Sequence, residues 1–415
     1  MKIAVICKSD STGGAAVVSR RLTEALRLKG ADASLLVEQK LTDLPFVVKT
    51  DMPIREKTAF LRERLQIFRA NGFSRKNLFK VDTASFGIPL WRHPLVLEAD
   101  AVILNWVNQG MLSLDGVKKI HRLGKKIIWT MHDMWNLTGI CHHAIDCCNF
   151  LKECGNCFLL DKMAATNDLS HKTWLKKNSL YAETDITFVA VSRWLADKAR
   201  ESSLLANSNI VHIPNPLKTL EPQNPETLKP PNPKILFAAA TLDNWIKGLS
   251  TFRESIRILK DRHPELVDAA RITLMGAVKN PSCLEGFPLP VDYLGEVKGE
   301  ENLAKVFADS AVTVNCSHFE NLPGTLIEAQ AYGSIPVAFD RGGQRDIIDH
   351  LQTGVLVAWA DDEKERGAKM AEGVAWAIQQ QKNGAEEIRQ RMRQSVENRF
   401  SYEAVADKYL EILGQ

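Results

Sequence analysis

The sequence predicts an α/β protein of two doubly wound, parallel-sheet domains facing a central cleft, and three observations carry that reading. The chain has 415 residues, too many for one comfortable core and enough for two domains of roughly 200 residues each. Short apolar runs alternate with helical segments in two separate series, the pattern of parallel strands covered on both faces. Between the series, Ile213 to Pro233 reads IPNPLKTLEPQNPETLKPPNP, with seven prolines and no periodicity, which suits an extended linker. The boundary is set at Pro216, giving an N-terminal domain over residues 1–215 and a C-terminal domain over 216–400.

In the first series, residues 2 to 7 read as a buried strand and Lys8 to Gly14 as a polar loop. Ala15 to Lys29 then form an amphipathic helix stopped by Gly30. Further strands are expected at Ser34 to Val37, Ala101 to Leu104, Lys126 to Thr130 and Ile186 to Val191. The second series runs strand Ile235 to Ala240, helix from Leu249, strand Arg271 to Gly276 and short strand Val291 to Leu294. It continues with helix from Glu301, strand Val312 to Asn315, helix from Thr325 and strand Pro336 to Phe339. Ligands of such sheets bind beyond the carboxyl ends of the strands, so loops of both domains are expected to wall the cleft.

Bulk chemistry narrows the function. Fifty-three basic against fifty acidic side chains leave a net charge of +3, without the strong cationic field of a nucleic-acid binder. No run approaches the ~18 apolar residues of a membrane span, and the apolar run from Ile3 to Cys7 is shorter than a signal-peptide core, so a cytoplasmic protein is expected. One segment is locally biased: Arg55 to Lys80 holds eight Lys or Arg against Glu56 and Glu63, interleaved with Phe and Leu. It reads either as a solvated helix packed on its own domain or as a peripheral contact with the anionic inner face of a membrane.

The most informative stretch is His318 to Gly343. Glu320 lies in a loop after a strand, and Glu328 eight positions later falls in the first turn of the helix opened by Thr325. Thr325-x-x-Glu328 fits a capping box, in which each side chain satisfies the other's orphan amide. The loop from Phe319 to Gly324 also brings free amides and a positive helix end together, where a diphosphate is well held. A carboxylate beside it can accept from ribose hydroxyls.

These residues, with Gly333-x-x-Pro336-Val337, Gly342-Gly343, Asp346-Ile347-Ile348 and Gly354 in order and spacing, resemble the E-x7-E region of retaining glycosyltransferases of the GT-B fold, family 4. The resemblance implies that Glu320 contacts the donor sugar, that Asn321, Leu322, Pro323, Gly324 and Thr325 present amides to its diphosphate, and that Glu328 holds the ribose. It implies that Gly13 and Gly14, locally only a tight turn, pass close to the donor phosphates. Lys247 in NWIKGL, otherwise an ordinary surface lysine, would neutralise the leaving diphosphate. His132, by default a structural histidine, would lie beside the reacting sugar.

Family members often carry an arginine about six positions before the lysine, and Thr241 stands there instead. The terminal helix, 401–415, would pack back on the first domain. The activity implied is a retaining, cofactor-independent transfer from a nucleoside diphosphate sugar to a glycan or lipid-linked acceptor in surface polysaccharide synthesis. Two alternatives remain: a nucleotide-sugar epimerase, and an inactive relative acting as a binding partner.

Cys141, Cys147, Cys154 and Cys157 form a C-x5-C-x6-C-x2-C cluster. It has the ligand types of a structural zinc site, with free thiols and disulfides as the other readings. A subset of family 4 is similar in pairing an HDMW motif with a cysteine-rich insertion.

Overall fold

Two runs of β-branched and aliphatic residues build two parallel sheets. The computed structural model describes residues 1–218 and 232–414, and all counts below refer to those residues. Most of the predicted linker, 219–231, lies outside them, as does Gln415.

The first sheet contains β1 (Lys2–Ser9), β2 (Asp32–Gln39), β3 (Val47–Lys49), β4 (Ala101–Leu104), β5 (Lys126–Met131), β6 (Ile186–Ala190) and β7 (Asn209–His212). Its order is β3-β2-β1-β4-β5-β6-β7, and every pairing is parallel. The second contains β8 (Lys234–Thr241), β9 (Arg271–Ala277), β10 (Val291–Gly295), β11 (Val312–Asn315), β12 (Ile335–Phe339) and β13 (Val355–Val357). Its order is β10-β9-β8-β11-β12-β13, again parallel throughout. In each sheet the order reverses once, between β1 and β4 and between β8 and β11. At such a switch the connections leave to opposite faces and open a crevice at the strands' carboxyl ends.

Contacts divide the chain into one unit of Met1–Pro216 with Val405–Gln415 and another of Leu217–Ala404. The first unit's core centres on Trp129 of β5, whose ring lies 6.3 Å from Phe188 and 5.9 Å from Trp135. Its closing segment is the helix Tyr402–Leu413, where buried Tyr409 shares a 2.9 Å hydroxyl–hydroxyl hydrogen bond with Thr130. In the second unit the helices Leu249–Arg262 and Glu363–Lys382 cover one apolar core with the sheet.

Several boundaries differ from the sequence reading. Strand β1 extends to Ser9, and the first helix is Gly14–Leu28. Strands β3, β7 and β13 were not expected, because three or four residues carry too little periodicity to stand out.

Candidate active site

In the second unit, the site forms where two loops leave the switch-point strands. After β8, Trp245–Lys247 make a single 3-10 turn, capped by Asn244, whose side chain accepts from the Ile246 amide. After β11, the chain from Cys316 to Glu320 lies against that turn, and the His318 amide donates to the Ile246 carbonyl at 2.7 Å. The approach requires glycine at 248: φ is +71°, and a Cβ would stand 2.1 Å from the Cys316 carbonyl oxygen. Gly342 plays the same part below Glu320. With φ at +131°, a side chain there would meet the Glu320 carbonyl oxygen at 2.1 Å.

Held between these two glycines, Glu320 accepts from Lys247 Nζ at 2.5 Å and from the Ser317 hydroxyl at 2.9 Å, all on Oε1. The Lys247 and Glu320 side chains are 26% and 16% exposed, so the pair is reachable from solvent. Ser317 is a site residue the sequence reading missed, since a serine three positions before a glutamate has no distinguishing pattern.

Asn321, Leu322 and Pro323 are buried and lead into the helix Gly324–Ala331, while Gly324 is exposed with nothing within 4 Å of a would-be Cβ. Its helix end is therefore open to a ligand. The capping-box expectation is corrected here. Pro323 is the N-cap and supplies no side-chain cap, and no acidic residue stands in the helix's first turn. Thr325 already has helical geometry and so cannot act as the cap. Glu328, half-buried, sits two positions deeper in the helix than expected. Thr241 ends β8 half-buried.

In the first unit, His132 follows β5 and Asn105 follows β4, at the carboxyl ends of two adjacent parallel strands. His132 Nε2 lies 2.9 Å from Asn105 Oδ1, which makes Nε2 the protonated nitrogen, since an amide oxygen only accepts. Burial drives the His132 pKa down to about 4 despite the nearby Asp133 charge, so the ring is neutral at pH 7. Gly13 is the N-cap and Gly14 the first residue of the helix after β1, with nothing within 4 Å of either Cβ position. That helix end too is unobstructed.

The residue after His132 belongs to an ion cluster anchored on buried Asp82. His142 is held on both nitrogens, Nδ1 by Asp133 at 2.7 Å and Nε2 by Asp82 at 2.8 Å. Burial disfavours its charge, but the two carboxylates outweigh that and raise its pKa to about 10. Asp133 is lowered correspondingly, its own burial being overcome by His142. Asp82 also pairs with Arg64, and its carbonyl accepts from the Trp135 indole at 2.8 Å. Lys177 donates to the carbonyls of Trp135 and Thr138 at 2.5 and 3.0 Å, and burial takes its pKa down to about 7. The HDMW turn is thus fixed from three directions by Asp82, His142 and Lys177. Asp82 lies 60 positions from His142, beyond the reach of any local pattern.

All eight cysteines are free. Cys141, Cys154 and Cys157 are buried, and burial pushes the Cys141 and Cys157 thiols up to about 12 and about 11. Among the described residues no group of three or more His, Cys, Asp or Glu is gathered to hold a metal ion. Burial raises the Cys154 thiol as well, its sulfur accepting from the Gly139 amide at 3.1 Å.

Comparison with known proteins bears on this arrangement. Residues 232–378 match the family model described as "Glycosyl transferases group 1". The chain is similar to a glycosyltransferase from Rickettsia africae ESF-5, with a TM-score of 0.61, 15% identity, and 99% of this chain and 97% of that one covered. It is also similar to sucrose-phosphate synthase from Thermosynechococcus elongatus, with a TM-score of 0.64, 15% identity and coverage of 99% and 98%. Anabaena HepE, solved in complex with UDP and glucose, gives a TM-score of 0.57, 14% identity and coverage of 100% and 99%. Among curated protein sequences, none matches. The two sheets are those of the GT-B fold. The second unit carries a glycosyl transferases group 1 domain, and the chain is accordingly an enzyme of the glycosyltransferase kind.

Proposed function

We propose that this enzyme moves a sugar, with retention of anomeric configuration, from a nucleoside diphosphate sugar to a glycan or lipid-linked acceptor, as in surface polysaccharide assembly. The observation that carries the proposal is the Lys247–Glu320 pair at the switch point of the second sheet, beside the open N-terminus of Gly324–Ala331. Without a ligand the two charges neutralise each other. A diphosphate brings two competing anionic groups, and Lys247 can turn to them as leaving-group charge develops. Glu320, still held by Ser317, is then free to accept from hydroxyls of the sugar. Glu328, one turn into the helix, is assigned to the ribose.

In the first unit, His132 is assigned to the sugar side. A neutral imidazole whose Nε2 is engaged by Asn105 acts as a fixed polar group rather than as a cation. No enzymatic nucleophile is required, because in a same-face displacement the leaving diphosphate can take the acceptor's proton.

HepE was solved with UDP, which favours a uridine diphosphate sugar as the first donor to test. Thermal-shift screening against uridine and guanosine diphosphate sugars should raise the melting temperature with one of them, since a ligand selective for the native state stabilises it. Glu320→Ala should lower transfer on the order of a hundredfold or more while preserving the melting point measured without ligand. Wild-type rates in both Glu320→Ala and Lys247→Ala would refute the assignment. Conversion of the donor's own sugar without acceptor would instead favour an epimerase.

A further inference from the structure

The helix Pro53–Ala70 buries one ion pair against its own domain and leaves three large aliphatic side chains facing outward. Its buried face holds Ala59, Glu63, Arg64 and Ile67. Glu63 accepts from the amides of Thr83 and Ala84 at 2.8 Å, and Arg64 pairs with Asp82. This face is therefore already committed to its own domain. Ile54, Leu61 and Leu65 are spaced seven and four residues apart, which at about 100° per residue places them within roughly 40° of arc. They are 82%, 53% and 45% exposed, and beyond the helix Phe73 and Phe79 are 69% and 61% exposed. Phe73 stands edge-on to Phe68 at 5.6 Å, which continues the stripe past the end of the helix. A solvated helix face would be polar at these positions, and a contiguous exposed apolar stripe marks a partner.

The charge around the stripe indicates which partner. Arg55, Lys57, Arg62 and Arg69 are exposed along the helix, and Arg75, Lys76 and Lys80 are exposed after it. The two acids of the segment are turned away: Glu63 is buried, and half-buried Glu56 bonds Thr50 and the Met52 amide. Asp161, 3.6 Å from Lys76, is an acid from outside the segment that approaches it. A chain with a net charge of only +3 thus concentrates cations around one apolar ridge. Two copies meeting through this face would bring like charges together. A nucleic acid would match the cations and leave the ridge unpaired.

We propose that this face docks on an anionic lipid surface. Ile54, Leu61, Leu65 and Phe73 enter the boundary between headgroups and acyl chains, and the flanking cations meet the lipid phosphates. Apolar insertion and electrostatic attraction then reinforce each other in the manner of interfacial helices. No helix among the described residues is long and apolar enough to cross a membrane, and this contact needs none. The inference is independent of the sugar-transfer reading, because its test measures lipid binding and not turnover.

The experiment is co-sedimentation of the full chain with vesicles of phosphatidylcholine alone and of phosphatidylcholine mixed with phosphatidylglycerol. Binding to the mixed vesicles, much weaker binding to the zwitterionic ones and partial release by salt are expected. Lys57→Glu with Arg69→Glu should weaken binding roughly tenfold or more, since each cation near an anionic surface contributes measurably. Leu61→Ser with Leu65→Ser should weaken it in both low and high salt. All four positions are exposed, so melting temperatures should stay at the wild-type value and separate lost docking from lost folding. The proposal is overturned if the wild-type chain ignores the mixed vesicles, or if the leucine pair binds them as wild type does. It is equally overturned if those leucine substitutions dissolve a dimer, or if the segment retains a polyanion such as duplex DNA independently of the leucines.

Discussion

Two ion clusters of this enzyme use the same chemistry toward opposite ends. The Lys247–Glu320 pair in the second unit is partly exposed, contains two charges and is backed by one hydroxyl. The Asp82–His142–Asp133 cluster in the first unit is anchored on fully buried Asp82, with His142 and Asp133 12% and 16% exposed, both imidazole nitrogens occupied and Arg64 closing the far side. A partly exposed pair contributes little to stability, about 0–1 kcal/mol, and is cheap to separate. A buried cluster resists separation, because removing one partner strands the others in a low-dielectric interior. Glu320 and Asp133 are equally exposed at 16%. The comparison therefore teaches that the number of charged partners anchored on a buried group, and not exposure of a single carboxylate, distinguishes a pair that a ligand can exchange from one that holds a loop in shape.

The largest expected effect would break the comparison at its exchangeable end. Glu320→Ala and Lys247→Ala should each lower turnover on the order of a hundredfold or more, with melting temperatures close to wild type. A large loss of stability in either would make the pair structural after all. Next, His142→Ala should destabilise the fold by about 3 kcal/mol in denaturant titration, the usual cost of orphaning buried charges. A loss below about 1 kcal/mol would show the cluster to be dispensable.

The pH dependence sharpens the same contrast. His142 has its pKa raised from 6.5 to about 10, so its contribution is complete below pH 6.5 and drains away as pH rises toward 10. For His132, lowered from 6.5 to about 4, the sign reverses: stability is lost as pH falls from 6.5 toward 4, where the unfolded chain takes a proton the folded ring refuses. Lys177, lowered from 10.5 to about 7, gains stability over the window in which His142 loses it, so melting temperature should fall on the acidic side of pH 6.5 and stay nearly level on the alkaline side. His142→Gln should leave the Lys177 contribution uncompensated, so that melting temperature rises with pH above about 7, and His132→Gln should flatten the acidic limb. The smallest effect is expected from Ser317→Ala, which removes one hydrogen bond worth about 1 kcal/mol from Glu320. It should reduce turnover several-fold without changing the melting temperature.

Legibility in the sequence followed the range of the interactions. Lys247 and Glu320 were singled out by the family resemblance, and both lie in the loops that follow strands β8 and β11. The cap assigned to Thr325 and Glu328 failed because a four-residue pattern does not register where the chain enters the helix. Buried Pro323, one residue before Gly324, sets that entry. Asn105, Asp82 and Lys177 were invisible as partners of the HDMW turn, being 27 positions from His132 in the first case, 60 from His142 in the second and 42 from Trp135 in the third. Their roles exist only once parallel strands set those loops side by side. The basic segment was legible in composition, yet its outward stripe was not, since periodicity cannot say which face of a helix is covered.

By itself, then, the sequence determined two alternating α/β series, the break between them, the E-x7-E segment and the basic bias of residues 55–80. All of these are written in composition and short-range order, where neighbouring residues act on one another. Only the tertiary structure decided that Glu320 rests on Lys247, that His132 is neutral while His142 is charged, and that Ile54, Leu61 and Leu65 face outward. Each of those outcomes depends on burial and on partners from distant loops, and a pKa or an exposed face has no value until the packing around it exists.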